Sequence, residues 1–199
     1  MKFLKIVAVA LAAMLLFSCS TKLAQSDLDA ANAVFAEAQN AKADVYAADE
    51  YKAAEDAKAA VDAELAAQEA KSSGKDYKKA NELIKAYADA AKKAKETAAA
   101  NAEKVKAEVE QLKNDVNAVY ASVQALVDAA SKDAKKAAKA KLNVKYLASK
   151  AEAAGKAIAD AQTAFDGQDY ITARDSLNTV KADLESMKSE LEAAGFAAQ

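Results

Sequence analysis

The chain has 199 residues, with 28 Lys plus Arg against 30 Asp plus Glu, no His, one Cys, four Gly and no Pro. At 53% hydrophobic and 29% charged it is not disordered by composition, and its length holds one domain or two small ones. Without His, and with a single Cys, it has no imidazole base, no internal disulfide and no Cys/His set for zinc, and its slight acidity argues against a dedicated nucleic-acid binder.

Ala supplies 57 of the residues, and almost nothing in the chain interrupts a helix. Ala forms helices well but buries little surface, so stability has to come from many close contacts along long interfaces. The composition therefore predicts an all-α fold, an elongated antiparallel helical bundle or coiled coil, rather than a wide globular core.

In chain order, Lys2 and Lys5 precede an apolar run from Ile6 to Phe17. The run is too short to span a bilayer and reads as the hydrophobic region of a secretory signal covering residues 1–18. It ends in Leu16-Phe17-Ser18-Cys19. These four residues resemble the lipobox of bacterial lipoproteins: Leu three before the Cys, a small residue just before it, and the Cys itself. Phe17 departs from the small or β-branched residue commoner at its place. The resemblance implies that Cys19 is acylated and becomes the first residue of the mature chain, which tethers it to a membrane by lipid alone. Several acyl chains at ~0.8 kcal/mol per buried CH₂ make a far firmer anchor than one myristoyl group. Ser20 stands where such lipoproteins carry Asp when retained at the inner membrane, which implies the outer membrane, facing the periplasm. Removing the signal takes away Lys2 and Lys5 and leaves a net charge of −4, from 26 basic and 30 acidic residues.

Residues 19–26 read as a lipidated polar tether. The first helix is predicted to start at Ser26 or Asp27, with a seam of Leu28, Ala31, Phe35, Ala38 and Val45. Asp49 is the predicted cap of a second helix carrying Tyr51, Ala54, Val61 and Leu65, which closes at Ser72-Ser73-Gly74, where Gly takes the left-handed conformation. Asp76 then caps a long central helix. Its apolar or small residues recur at 84, 87, 91, 94, 98, 102, 105, 109, 112, 116, 119, 123, 126 and 130, in steps of three or four, with a stutter at Ala94-Ala98-Ala102. As one rod it is roughly 80 Å long. A break near Ser131-Lys132-Asp133 starts a fourth helix, with seam positions from 137 and 140 through 165; the alternative is one helix from 76 to 166. The fifth helix begins at Asp169 and ends at Gly195, along Tyr170, Ala173, Leu177, Val180, Leu184, Met187, Leu191 and Ala194. Five helices then share the central one. Residues 27–105 form an N-terminal three-helix bundle, and 106–195 form a C-terminal one.

One pattern occurs twice, 93 residues apart: Gly74-Lys75-Asp76-Tyr77-Lys78-Lys79-Ala80 and Gly167-Gln168-Asp169-Tyr170-Ile171-Thr172-Ala173. In each, Gly ends one helix, Asp caps the next, Tyr covers the corner and Ala permits close crossing; the reading is a hairpin staple. Together with the corner Tyr46-Ala47-Ala48-Asp49-Glu50-Tyr51, this order resembles bacterial lipoproteins with an Ala-rich helical domain of unknown function, over about residues 27–100 and more loosely 145–190. The resemblance implies fold and envelope location and no established activity.

Neither a Gly-rich phosphate loop nor a metal-ligand cluster is present, so no catalytic residue, cofactor, metal or small-molecule substrate is expected. The aromatic residues Phe35, Tyr51, Tyr87, Tyr146, Phe165 and Tyr170 fall on seams or corners and are expected in the core. Lys132, Lys135, Lys136, Lys139, Lys141 and Lys145 face only Asp133 in sequence and form a candidate contact for an anionic partner, the peptidoglycan layer or an acidic envelope protein. The expected function is that of a lipid-anchored envelope lipoprotein with a structural, spacer or scaffold role. The alternative is a periplasmic interaction adaptor or chaperone that holds protein partners in a helical groove. A covalent wall tether is disfavoured, because tethers of the short helical type end in Lys and this chain ends Phe196-Ala197-Ala198-Gln199.

Overall fold

A computed structural model describes residues 21–197. The described residues are all-α: α1 is Gln25–Asn40, α2 Ala43–Tyr46, α3 Ala48–Glu69, α4 Lys78–Lys132, α5 Ala134–Lys139, α6 Val144–Asp166 and α7 Tyr170–Ala193. The long helix expected from the seam is therefore present, as the 55-residue α4. Every one of its fourteen seam positions is buried or half-buried. The chain falls into two compact units that divide at Asn101/Ala102, within α4.

In the first unit α4 is the third member of an up-down-up bundle. Contacts between α1 and α4 run in the same direction along both helices, from Asn32–Tyr87 to Glu37–Lys95. Those between α3 and α4 run oppositely, Glu50–Lys93 and Glu64–Lys79. The core is built on Ala: Ala31, Ala38, Ala54, Ala80, Ala91, Ala94 and Ala98 are all fully buried. Small side chains let the axes approach, and a few large ones fill what remains. The Phe35 ring stacks on Tyr51 at 5.3 Å and tilts against Tyr87 at 5.8 Å. Such pairs add about 0.5–1.5 kcal/mol each beyond their burial.

In the second unit α4 is the first member of another up-down-up bundle. Here it runs opposite to α6, with Tyr120 beside Gly155 and Lys113 over the Phe165 ring. It runs alongside α7, where Asp115 meets Lys181. The core is branched rather than Ala-built: Val109, Val116, Val123, Leu126, Leu147, Leu177, Leu184, Met187 and Leu191. Each such side chain contributes roughly 1.5–3 kcal/mol when fully buried.

Several boundaries differ from expectation, each for a local reason. The first predicted helix is two helices. Lys42 takes a left-handed φ of 54° after α1, which shifts the register, so Ala43 and Tyr46 are buried while Val45 is 52% exposed. Helix α1 starts at Gln25 with Ala24 as its cap, not at Ser26 or Asp27, and α3 starts after Ala47, so Asp49 lies within its first turn beside Glu50. Both acids there favour the positive end of the helix dipole without capping it. Near 131 the chain does break, and it breaks twice. The Asp133 carboxylate accepts from the Lys136 N–H at 3.0 Å and opens only the six-residue α5. Asn143 then accepts from the Tyr146 N–H at 3.1 Å and opens α6. Ser131 caps nothing; its hydroxyl donates to the Val127 carbonyl one turn back. The spacing through 137, 140 and 144 is thus not one helical seam: Ala140 is the end cap of α5 and is exposed.

Gly155 is a mid-helix Gly with a packing reason. A Cβ there would lie 2.5 Å from the Tyr120 hydroxyl and 3.1 Å from its Cζ. Gly155→Ala gains about 1 kcal/mol of helix propensity, but overpacking against a ring costs about 1–3 kcal/mol. We expect net destabilisation in the native background and stabilisation of about 1 kcal/mol in a Tyr120→Ala background. Urea denaturation of the four proteins checks this, and an equal gain in both backgrounds would contradict the contact.

Candidate functional site

Two corners gather the polar residues that the sequence singled out. The first lies between α3 and α4. Gly74 has φ of 68°, as expected of the left-handed residue, although α3 already ends at Glu69. Asp76 Oδ1 accepts from the Lys78 N–H at 3.1 Å and from the Thr21 N–H at 3.2 Å. The Tyr77 N–H donates back to the Thr21 carbonyl at 3.1 Å. One turn on, Asn81 takes the Ala24 N–H on its Oδ1 at 2.9 Å and donates from Nδ2 to the Lys22 carbonyl at 2.8 Å. The segment read as a tether is therefore pinned to the start of α4 from Thr21 onward. Nothing in residues 20–26 signals this, because the clamp sits on a residue nearly sixty positions away.

Beside the clamp lies a second set of contacts. Glu64 and Gln68 occupy the inward register of α3, one and two turns after Val61, and both are buried. Leu65, expected on that seam, is only half-buried. Gln68 Nε2 donates to Glu64 Oε1 at 2.7 Å, and its own Oε1 accepts from the Asp76 N–H at 3.1 Å and from Lys71 Nζ at 2.8 Å. Lys79 Nζ reaches Glu64 Oε2 at 2.7 Å. Every polar group is answered, so the network ties the end of α3 to the start of α4 without an orphaned charge. The Lys79 ammonium, then the Gln68 amide, hold the Glu64 carboxyl below its ordinary value. The Lys78 and Thr21 N–H groups do the same for Asp76. A polar pair at core spacing was the available sequence signal for this network.

The second copy of the Gly-x-Asp-Tyr pattern folds differently. Gly167 is the end cap of α6 with φ of −76°, and Gln168 takes the left-handed place at 60°, so the expected role of Gly167 is filled by its neighbour. The Asp169 N–H closes the turn on the Ala164 carbonyl at 2.9 Å, and its carboxylate caps α7 through the Thr172 N–H at 3.3 Å. Tyr170 packs on Phe165 at 5.3 Å. Ala80 and Ala173 are both fully buried, so the close crossing is common to the two copies.

The other corner is α5 with its flanks. Lys132, Lys135, Lys139, Lys141 and Lys145 are exposed and enter none of the ion pairs formed among the described residues. Lys136 is different: its Nζ donates to the Gly195 carbonyl at 2.5 Å and lies 4.6 Å from the centre of the Phe196 ring. It ties α5 to the end of α7. Lys141 takes φ of 58° and closes α5, with the Leu142 N–H on the Ala137 carbonyl. An open cleft of about 680 Å³ runs past this turn, floored by Ala130, Ala137, Leu142 and Val144 and edged by Lys141 and Lys145. Tyr146, expected in the core, is 57% exposed here, because Asn143 restarts the helix and turns residue 146 outward while Leu147 goes in.

Leu16, Phe17, Ser18 and Cys19 lie outside the described residues. Among the described residues no helix is long and apolar enough to cross a membrane, and no His/Cys/Asp/Glu group is arranged to hold a metal ion. No family model, no curated protein and no solved structure matches the chain.

The depressed carboxyls set a pH dependence. Folded Glu64 and Asp76 bind protons less readily than in the unfolded chain, so stability rises with pH across their titration. Their contribution is complete above the unfolded values, about 4.3 and 3.9, and is lost as the pH falls below them through the folded values. Glu64→Gln should lower the denaturation midpoint at pH 7, and the gap from the native protein should be narrower at pH 3, below the unfolded value of about 4.3. A gap of the same size at both pH values would show that the Glu64 charge plays no part.

Proposed function

We propose that the chain is a lipid-anchored lipoprotein of the cell envelope, held in the outer membrane by an acylated Cys19, whose helical units serve as a spacer or scaffold rather than as a catalyst. The observation that carries the reading is the join between signal and fold. The basic start, the apolar run and Leu16-Phe17-Ser18-Cys19 end two residues before Thr21, the first described residue, which is already hydrogen-bonded to the start of α4. Cleavage before Cys19 would thus leave a mature chain that is folded almost from its first residue. Absence of His from the sequence and use of the lone Cys as the anchor support a non-catalytic role. Cys19→Ala should abolish incorporation of labelled palmitate and move the protein from the membrane fraction to the soluble one. Retention of the variant as an integral membrane protein would overturn the lipoprotein reading.

A second reading, an adaptor that engages an anionic partner, is favoured by the α5 corner. Five exposed lysines and an apolar-floored cleft adjoin there in a protein of net charge −2. The peptidoglycan layer is the anionic polymer that an outer-membrane lipoprotein would meet. Co-sedimentation with purified sacculi should be seen at low salt and be lost when Lys132, Lys135, Lys139, Lys141 and Lys145 are all changed to Gln. It should also weaken at 1 M salt, where the Debye length is ~3 Å. Lys136 is kept, since it anchors Gly195. Equal binding by both proteins, or none by either, would remove the wall contact.

A further inference from the structure

The clamp on Thr21–Ala24 bears on orientation. A lipid anchor on a long flexible tether leaves a protein free to tumble above a bilayer; a short one does not. Cys19 is two residues from Thr21, and two residues of chain span at most about 7 Å whatever their conformation. Thr21 in turn is bonded on both sides, to Asp76 and to Tyr77. Resting on the lipid-anchor reading, we infer that the α3–α4 corner is a membrane-contact surface that sits on the headgroups of anionic phospholipid and fixes how the first unit stands on the membrane.

The charge of the corner fits that partner. The corner carries Lys22, Lys71, Lys75, Lys78 and Lys79 against Glu64, which Lys79 pairs, Glu69 and Asp76, a local excess of positive charge in a chain that is acidic as a whole. Lys22, Lys71 and Lys78 are exposed and Lys75 is half-buried. The Asp76 carboxylate is exposed but already accepts from the Thr21 and Lys78 N–H groups. Lysines held at an anionic surface are attracted within about a Debye length, ~8–10 Å at ordinary ionic strength, which is the range that the short tether enforces. The left-handed Gly74 and the exposed Ser72 and Ser73 make the corner small and polar, suited to lie among headgroups without entering the hydrocarbon. The opposite end of the same unit, at Ala48, is a full α1 away, about 24 Å for its sixteen residues.

The test uses the acylated full-length protein in vesicles of phosphatidylcholine with and without phosphatidylglycerol, its mass confirming the acyl chains. With Cys19 blocked by lipid, Ser73→Cys and Ala48→Cys each accept a single fluorophore, and a nitroxide on the lipid headgroups quenches it by proximity. Quenching should be several-fold stronger at position 73 than at 48 in the anionic vesicles. Changing Lys22, Lys71, Lys75 and Lys78 to Gln should lower quenching at 73 without releasing the protein, because the acyl chains still hold it. Circular dichroism verifies that this variant keeps its helices. Equal quenching at 73 and 48 in an acylated, vesicle-bound protein would overturn the orientation and leave the lipoprotein reading intact. A full-length protein with no acyl chain on Cys19 would overturn both.

Discussion

One seam runs the length of α4 and every other helix takes its place from it. From Ile84 to Ala130 the inward positions recur every three or four residues with no Pro or Gly to stop them, so nothing ends the helix between the two bundles. A seam that exposed would be untenable in water, and each part of it is covered by a separate pair of helices. The chain meets this constraint by closing a bundle onto the first part of α4 and opening another from the rest. Burial eases at Ala102 and Val105, which are only half-buried, and the division between the units falls beside them.

The two bundles solve the same packing problem with different residues. In the first, Ala contacts bring backbones close, and the stability that Ala cannot supply through area comes from Phe35, Tyr51 and Tyr87 and from the Glu64–Gln68 network. The buried Tyr87 hydroxyl still finds Asn32 at 3.2 Å, and burial pushes its phenol pKa up. In the second, Val and Leu fill the interior directly, and no polar side chain is among the buried residues described there. Cohesion in the first unit is thus more dependent on specific hydrogen bonds, including those that hold Thr21–Ala24.

Helix ends are handled with unusual uniformity in the second unit. α5, α6 and α7 all close with a left-handed residue, Lys141, Gln168 or Gly195, followed by an N–H bonded five residues back, from Leu142, Asp169 and Phe196. Only one of those three is Gly, although a residue without Cβ is the least strained choice. The carbonyls at each end are satisfied by geometry that the surrounding packing imposes.

Helical content, the α4 seam, the α7 seam and the break near 131 were legible in the sequence, because they follow from periodicity and from the shortage of Gly and Pro. Those are local properties that each stretch carries whatever its neighbours do. The lysines of the α5 corner were legible as a cluster, but not that Lys136 is committed to Gly195 and Phe196. Nor did pattern reveal that Val45 and Tyr146 turn outward, that Gln168 rather than Gly167 is left-handed, or that Asn81 grips Lys22 and Ala24. A register shift depends on which residue absorbs a turn, and a clamp depends on which distant backbone arrives beside it. Both are decided by how helices pack, where a free energy of one or two kcal/mol from contacts overrides the propensity of any single residue.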